Sequence, residues 1–412
     1  MKIAGIIAEY NPFHNGHKFH LEQVKKITGA DYVIVVMSGD FTQRGTPAII
    51  DKYSRAKMAV SCGADLVLEI PAYYACGSAE YFAEGAIDLL DKLGICDSIC
   101  FGSECGDITK LETIATVLAY EPDVYKKELR HQMRLGKTFP VARNIALEKT
   151  IPNFTSYADV IGSPNNILGI EYIKAILKRG NRIAYYTNQR IGSGYHDYKF
   201  SDSNFSSAIS IRQSLAMQQT LTFIKSQIPP VCFNILEENF NNSFPLFTRD
   251  FSALLKYRLL LEEKNGFDQF IDITKDLSDR IVNNLHEMND FDSFCELLKT
   301  KDLTYARVSR CLGHILLDMK KKPFTRFLEH GTCFYGRVLG FREDSTVIMK
   351  MIKENGSIPL ISKAADAKNI LDDIGYELFE KDIQVSHIYS SITAMKYDKK
   401  IVNEFQQPII KL

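Results

Sequence analysis

A parallel α/β sheet layer is the fold class that the first two hundred residues predict. Two observations carry this expectation. Apolar runs alternate with amphipathic ones along the chain, and the apolar runs are nearly unbroken, as in strands buried on both faces. A third observation bounds it: after about residue 222 the alternation stops and the pattern becomes mainly helical. The division expected is 1–222 for the α/β domain, 223–329 for a helical region and 330–412 for a small terminal α/β module.

The elements follow in order. "KIAGIIAEY" (2–10) is the first strand and "HKFHLEQVKKI" the helix after it. "DYVIVVMSG" (31–39) is a strand with no polar interruption. "KYSRAKMAVSCG" is a helix stopped by Gly63, because glycine accepts the left-handed conformation that ends helices. "ADLVLEIP" is a strand closed by Pro71. "SAEYFAEGAIDLLDKLG" is a helix with Gly94 beyond its end. "SICFGSE" and "RIAYYT" (182–187) supply two more strands. Between 223 and 329, "FSALLKYRLLLEE", "LSDRIVNNLHEM", "FDSFCELLKTK" and "YARVSRCLGHILLDMKKK" carry helical spacing. From 330 onward, "CFYGRVLGF" and "STVIMKMI" are expected to be strands. No internal repeat or low-complexity linker is present.

Bulk composition narrows the function classes. The 412 residues are 45% hydrophobic and 24% charged, which excludes wholesale disorder. Lys+Arg and Asp+Glu both number 50, so a nucleic-acid partner would need a local basic surface. Glu9, Asn11 and His14 interrupt the opening apolar run, and no stretch approaches the ~20 apolar residues of a membrane span. A soluble, cytoplasmic protein is expected. Nine cysteines include Cys96, Cys100 and Cys105 in "CDSICFGSEC", which is not zinc-site spacing; reduced, mostly buried thiols are expected.

The chemistry concentrates in "NPFHNGHK", where the first strand hands over to its helix. A helix start presents unpaired N–H groups and about half a positive charge, which suits phosphate. Gly16 lets a polyphosphate approach the backbone, and the imidazoles of His14 and His17 can bind charge developing on phosphate oxygens. The alternative is a metal site. His14, His17 and His20 run i, i+3, i+6, which does not keep one helical face, and neither an H-E-x-x-H pattern nor a placed carboxylate accompanies them. The phosphate reading is the better one, with no metal ligands assigned. His20 reads as structural.

H-x-G-H after the first strand of a parallel α/β domain resembles the signature of the HIGH superfamily, the nucleotidylyltransferases and class I aminoacyl-tRNA synthetases. "GIIAEYNPFHNGHKFHL", "MSGDFTQRGTPAIIDKYSRAKMA", "GADLVLEIP", "SAEYFAEGAIDLL", "FGSE" and "SPNNILGIEYIKA" follow in order. Together they resemble the bacterial tRNA(Met) cytidine acetate ligase family over nearly the whole chain. The resemblance implies a Rossmann-like nucleotidyltransferase domain. It also implies an enzyme that uses ATP to turn acetate into acetyl-adenylate, and Mg2+ is the usual companion of ATP. The acetyl group then passes to N4 of the wobble cytidine (C34) of elongator tRNA(Met), with AMP and diphosphate released.

Residue by residue, the resemblance places ATP on Ile7, Ala8, Glu9, Tyr10, Asn11, Pro12, Phe13, His14, Asn15, Gly16, His17, Lys18, Phe19 and His20. Gly102, Asn165 and Arg190 complete that set, and His14 and His17 carry the catalysis. Asn166 competes with Asn165 for the asparagine position, and either would also cap a helix. Gly102 also reads as a turn glycine, and Arg190, followed by Gly192 and Gly194, as a surface arginine. "SSAISIRQ" resembles the superfamily's late serine motif but has Ala208, Ile209 and Ser210 where Ser-Ser-Thr is usual, so only Arg212 is carried over. Gln43 and Arg44 in "TQRG" recur in the family without a role that chemistry supplies. For tRNA, Arg307 and Arg310 lie three apart in the densest basic stretch, 305–326, which also reads as a solvated helix face. A second RNA surface would be the loops around Arg44 and Lys52. Two rival readings are a transferase making a nucleotide-activated metabolite, with no use for a basic helical region, and a non-catalytic RNA-binding protein, with no use for His14, Gly16 and His17.

Overall fold

Alternation with a period of two decides which face of the sheet each strand residue meets. In β1 (Ile3–Ala8), Ile3 faces one core while Ala4 and Ile6 face the other. In β2 (Tyr32–Ser38), Ile34 and Val36 oppose Val33, Val35 and Met37. β3 (Leu66–Ile70) and β4 (Ser98–Ser103) divide likewise. One face is covered by the helices Asn15–Thr28 and Lys52–Ser61, through Leu21, Val24, Ala56 and Met58. The other is covered by Ala79–Lys92 and Pro164–Lys178, through Phe82, Ile87, Ile170 and Ile173. This computed structural model describes residues 1–180, 182–190, 206–218, 220–400 and 402–412.

The strand order is β5-β4-β1-β2-β3-β6-β7, where β5 is Ala184–Gln189, β6 is Gly336–Phe341 and β7 is Leu360–Ile361; β8 (Ile410–Lys411) pairs with β6. β5, β4, β1, β2 and β3 are mutually parallel. The order reverses at β1, whose neighbours β2 and β4 lie on opposite sides, and doubly wound sheets bind ligands at such a point.

The doubly wound α/β expectation is met, with each predicted strand and helix of the first domain within a few residues of its place. Three helices between β4 and β5, Ile108–Tyr120, Asp123–Arg134 and Phe139–Thr150, were not anticipated. The helical region holds Ser252–Glu262, Lys275–Asn284, Phe291–Leu298 and Tyr305–Leu316, the last ending before a separate helix Lys321–His330. Two expectations for the C-terminal part need correction. "STVIMKMI" is not a strand but lies in the helix Thr346–Asn355, because Ile348 and Ile352, four apart, are the residues it buries. The segment 336–341 is a strand, but it pairs antiparallel with β3 and so extends the first domain's own sheet. Among the described residues, no helix is long and apolar enough to cross a membrane. All nine cysteines are free thiols, six of them buried.

Four buried charges secure that C-terminal return. Lys52, fully buried, contacts Glu69 at 2.9 Å and Glu404 at 2.7 Å; Arg337 reaches Glu404 at 2.7 Å and Glu69 at 3.4 Å. Two cations against two carboxylates leave the cluster neutral, the condition under which buried charge is tolerable. Lys52 is therefore no RNA contact: its ammonium is buried against Glu69 and Glu404. Burial alone would raise the Glu404 carboxyl, but Lys52 and Arg337 outweigh it and bring it down to about 2. A depressed value means that its stabilisation is full above the ordinary 4.5 and is lost as pH falls through about 2. Glu404→Gln is expected to cost about 3–5 kcal/mol at neutral pH in urea unfolding. The gap from the parent should close as pH approaches 2.

Candidate active site

The cavity lies at the C-terminal ends of β1, β4 and β5 and has a volume of about 230 Å³. From the predicted ATP stretch, Ile7, Ala8, Glu9, Tyr10, Asn11, His14, Gly16, His17, Phe19 and His20 line it. Gly102, Asn165 and Arg190, far apart in sequence, line it as well. Pro12, Phe13, Asn15 and Lys18 do not. Phe13 is wholly buried, its ring 4.7 Å from that of Tyr10, and Asn15 turns away to donate to the Ser226 carbonyl at 2.8 Å. Gly192 and Gly194 lie outside the described residues.

The two histidines cap their helix reciprocally. His14 is the N-cap residue, and its Nδ1 accepts from the Gly16 N–H at 3.1 Å. The His17 Nδ1 accepts from the His14 N–H at 3.3 Å, and the rings stack with centroids 3.7 Å apart. This is a capping box made with imidazoles. Burial, reinforced by the Arg190 and Arg212 guanidiniums, pushes His14 down to about 3. Burial and then His14 and Arg190 hold His17 well below its ordinary value. Both rings are therefore neutral, and since each Nδ1 is an acceptor, each proton sits on Nε2. Two imidazole N–H donors in a fixed tautomer result. His20 has another job: Nδ1 lies 2.7 Å from Asn188 Oδ1 and Nε2 3.2 Å from the Cys100 carbonyl, which fastens the helix to β4 and β5.

Gly16 is needed for a reason other than phosphate access alone. A Cβ there would stand 2.9 Å from His14 Cε1, so any side chain would displace the capping ring. Across the cavity, Asn165 and Asn166 separate cleanly. Asn165 faces the cavity, whereas Asn166 is buried and its Oδ1 accepts from the Glu104 N–H at 2.9 Å and the Cys105 N–H at 3.1 Å. Neither caps its own helix. The Glu104 carboxylate takes that place, accepting from Asn166 N–H at 2.9 Å and Asn165 Nδ2 at 2.7 Å.

Gln43, Arg44 and Arg212, for which chemistry alone supplied no firm role, also line the cavity, with Arg212 Nη1 donating to the Asn11 carbonyl at 2.6 Å. Tyr172, Asn188 and the buried Arg55 were missed. The signal for Tyr172 was present: 165, 168 and 172 share a helical face, and all three line the cavity. Arg55 left none, because its partners are backbone carbonyls, Glu9 at 2.7 Å, Ser38 at 3.0 Å and Ile50 at 3.1 Å, together with Gly39. Arg307 and Arg310 lie outside the cavity. Arg310 Nε is tied to Asp272 at 2.7 Å. Their helix instead backs the Arg44 loop: Ser309 Oγ donates to the Arg44 carbonyl at 2.9 Å, and a Cβ on Gly313 would collide with the Gly45 carbonyl. Among the described residues, no three of His, Cys, Asp and Glu are grouped as a metal ion would require.

Residues 1–404 match the profile of the family described as HIGH Nucleotidyl Transferase. The tRNA(Met) cytidine acetate ligase of Clostridium novyi is 38% identical over 399 residues, 97% of each chain. That of Caldanaerobacter subterraneus is 39% identical over the whole of both. Crystal structures of Thermotoga maritima TmcAL superpose over the full length of both chains. The apo form has a TM-score of 0.93 at 30% identity, and the form bound with alpha-thio ATP has 0.92 at 29%.

The geometry makes Gly16→Ala informative. The added methyl should tilt the His14 ring and leave the core intact, because Gly16 is in the first, cavity-facing turn. Turnover should fall on the order of 10²-fold, the usual cost of an ångström-scale misplacement, with thermal unfolding near the parent's. A fully active Gly16→Ala enzyme would show that the imidazole cap does not position catalysis.

Proposed function

The chain belongs to the HIGH nucleotidyltransferase family and, within it, to the tRNA(Met) cytidine acetate ligases, and on that premise we propose a two-step reaction in its cavity. Acetate first attacks the α-phosphate of ATP, giving acetyl-adenylate and diphosphate. The acetyl group then passes to N4 of the wobble cytidine, C34, of elongator tRNA(Met), and AMP leaves. The enzyme works where its tRNA is, in the cytoplasm.

One observation carries the reading: a reciprocal imidazole cap presents two N–H donors to a cavity also lined by Arg44, Arg190 and Arg212. Acetate is already ionised at neutral pH and needs no base for the first step. The task is to hold the triphosphate and neutralise charge moving onto the departing diphosphate, which is mainly positioning and electrostatics. Neutral imidazoles suit this, since they donate without a proton having to move. Asn165, Gly102 and Arg190 at the ends of β4, β5 and the helix Pro164–Lys178 are the nucleotide contacts in this reading. Magnesium would arrive with the triphosphate. Among the described residues, no group of protein ligands is assembled that would hold the ion by itself.

The cytosine amine is a weak nucleophile, so the second step depends on a splayed anticodon base held against the mixed anhydride. The helical region supports the RNA, with Arg307 as the phosphate contact. Arg310 is the weaker candidate because Asp272 already holds it.

Labelled acetate and ATP, incubated with and without bulk tRNA, should place label in RNA only when all three are present. His17→Ala should lower acetate-dependent ATP–diphosphate exchange on the order of 10²–10³-fold, the usual effect of removing one charge-stabilising donor. Exchange at the parent rate in a folded His17→Ala protein would refute the phosphate role.

A further inference from the structure

Among the described side chains that line the cavity, Glu9 is the one carboxylate. Its charge is wrong for contacting a triphosphate or acetate, and in the reading above the three guanidiniums and the His14 and His17 imidazoles already serve anions. Its Oε1 accepts the Gln43 N–H at 2.8 Å, and among the described residues Oε2 makes no hydrogen bond. Backbone anchoring fixes the residue firmly, since Arg55 holds the Glu9 carbonyl at 2.7 Å. A carboxylate oxygen without a partner among the described residues thus lies just past the end of β1, at the cavity proposed to hold the anions.

The second step of the proposed reaction has a need that such an oxygen meets. As cytosine N4 attacks the acetyl carbonyl, a C–N bond forms, the C–O bond to AMP breaks with its electron pair leaving on AMP, and N4 must give up one proton. None of the other titratable groups among the described lining residues can take it. The His14 and His17 Nδ1 lone pairs are spent on the helix cap and their Nε2 atoms already carry protons. Both ring nitrogens of His20 are engaged by Asn188 and Cys100. The arginines have no acceptor. The buried Tyr172 phenol, whose ionisation burial opposes, makes no hydrogen bond among the described residues and is a donor.

We infer that Glu9 is the group that accepts the N4 proton in acetyl transfer, with the Tyr172 hydroxyl beside it available to the acetyl oxygen. This rests on the two-step reading above, and it assigns the two steps to different groups. The imidazole cap serves adenylation, and the carboxylate serves transfer.

Glu9→Gln separates the steps, because the amide keeps an oxygen for the Gln43 N–H while losing the base. Two rates are measured on the full-length protein with tRNA(Met): acetate-dependent ATP–diphosphate exchange, and single-turnover transfer from synthetic acetyl-adenylate. Loss of a general base is expected to slow transfer by about 10²–10⁴-fold, at least ten times further than exchange falls, with acetyl-adenylate accumulating when ATP and acetate are supplied. Glu9→Asp, which keeps a carboxylate, should recover part of the transfer rate. Equal losses in both rates would make Glu9 an ATP-positioning residue and overturn the inference. Unchanged transfer would overturn it too, leaving the proton to the departing AMP phosphate. A parent protein without acetate-dependent exchange would instead remove the two-step reading, and this inference with it.

Discussion

A single guanidinium, buried beneath the site, holds the chain where it leaves the sheet. Arg55 is completely buried, and its hydrogen bonds run to the backbone carbonyls of Glu9, Ser38, Gly39 and Ile50, with no carboxylate among them. Those carbonyls lie at or just past the C-terminal ends of β1 and β2 and where the next loop returns. Parallel strands leave such carbonyls pointing out of the sheet without partners, and leaving them buried and unpaired would be costly. Arg55 satisfies them with one side chain and fixes where the chain leaves the sheet. Much of the cavity lining hangs from those exits: Glu9, the His14–His17 turn and the Gln43–Arg44 loop.

From that anchor the helix start shows how stability and chemistry use the same atoms. Capping with imidazoles instead of a serine or aspartate satisfies two N–H groups that the first turn would otherwise leave open. The same bonds consume Nδ1 and so select the tautomer in which Nε2 carries the proton. Burial then keeps both rings neutral. A serine cap would serve the helix equally well but would offer the cavity no such donor. Gly16 belongs to this arrangement as the residue over which the His14 ring folds.

The later parts of the chain support this centre from behind. The helix Tyr305–Leu316 packs so closely on Gly45 that Gly313 must lack a side chain, and Ser309 holds the Arg44 carbonyl. An RNA lying against the helical region would therefore press on a helix that braces a cavity loop. The C-terminal segment completes the main sheet through β6, and the Lys52–Glu69–Arg337–Glu404 cluster locks it there. Such a cluster adds little net stability over apolar packing, but it tolerates no substitution that leaves a member unpaired.

Short-range physics made much of this protein legible in its sequence. Strands with unbroken apolar runs, helices with stop glycines, and a glycine between two histidines at a strand-to-helix turn each depend on neighbours within a few residues. So does the helical face shared by 165, 168 and 172. Tertiary structure alone decided what depends on distant partners. It set β6 beside β3, made 346–355 a helix because Ile348 and Ile352 met a core, and tied Arg310 to Asp272. It brought Arg190, Arg212 and Arg44 to one cavity, and it made neutral, by burial, two rings that a sequence shows only as titratable. Periodicity and capping are local and so can be read along the chain. Burial, charge pairing and protonation are properties of an environment, and that environment exists only once the chain has folded.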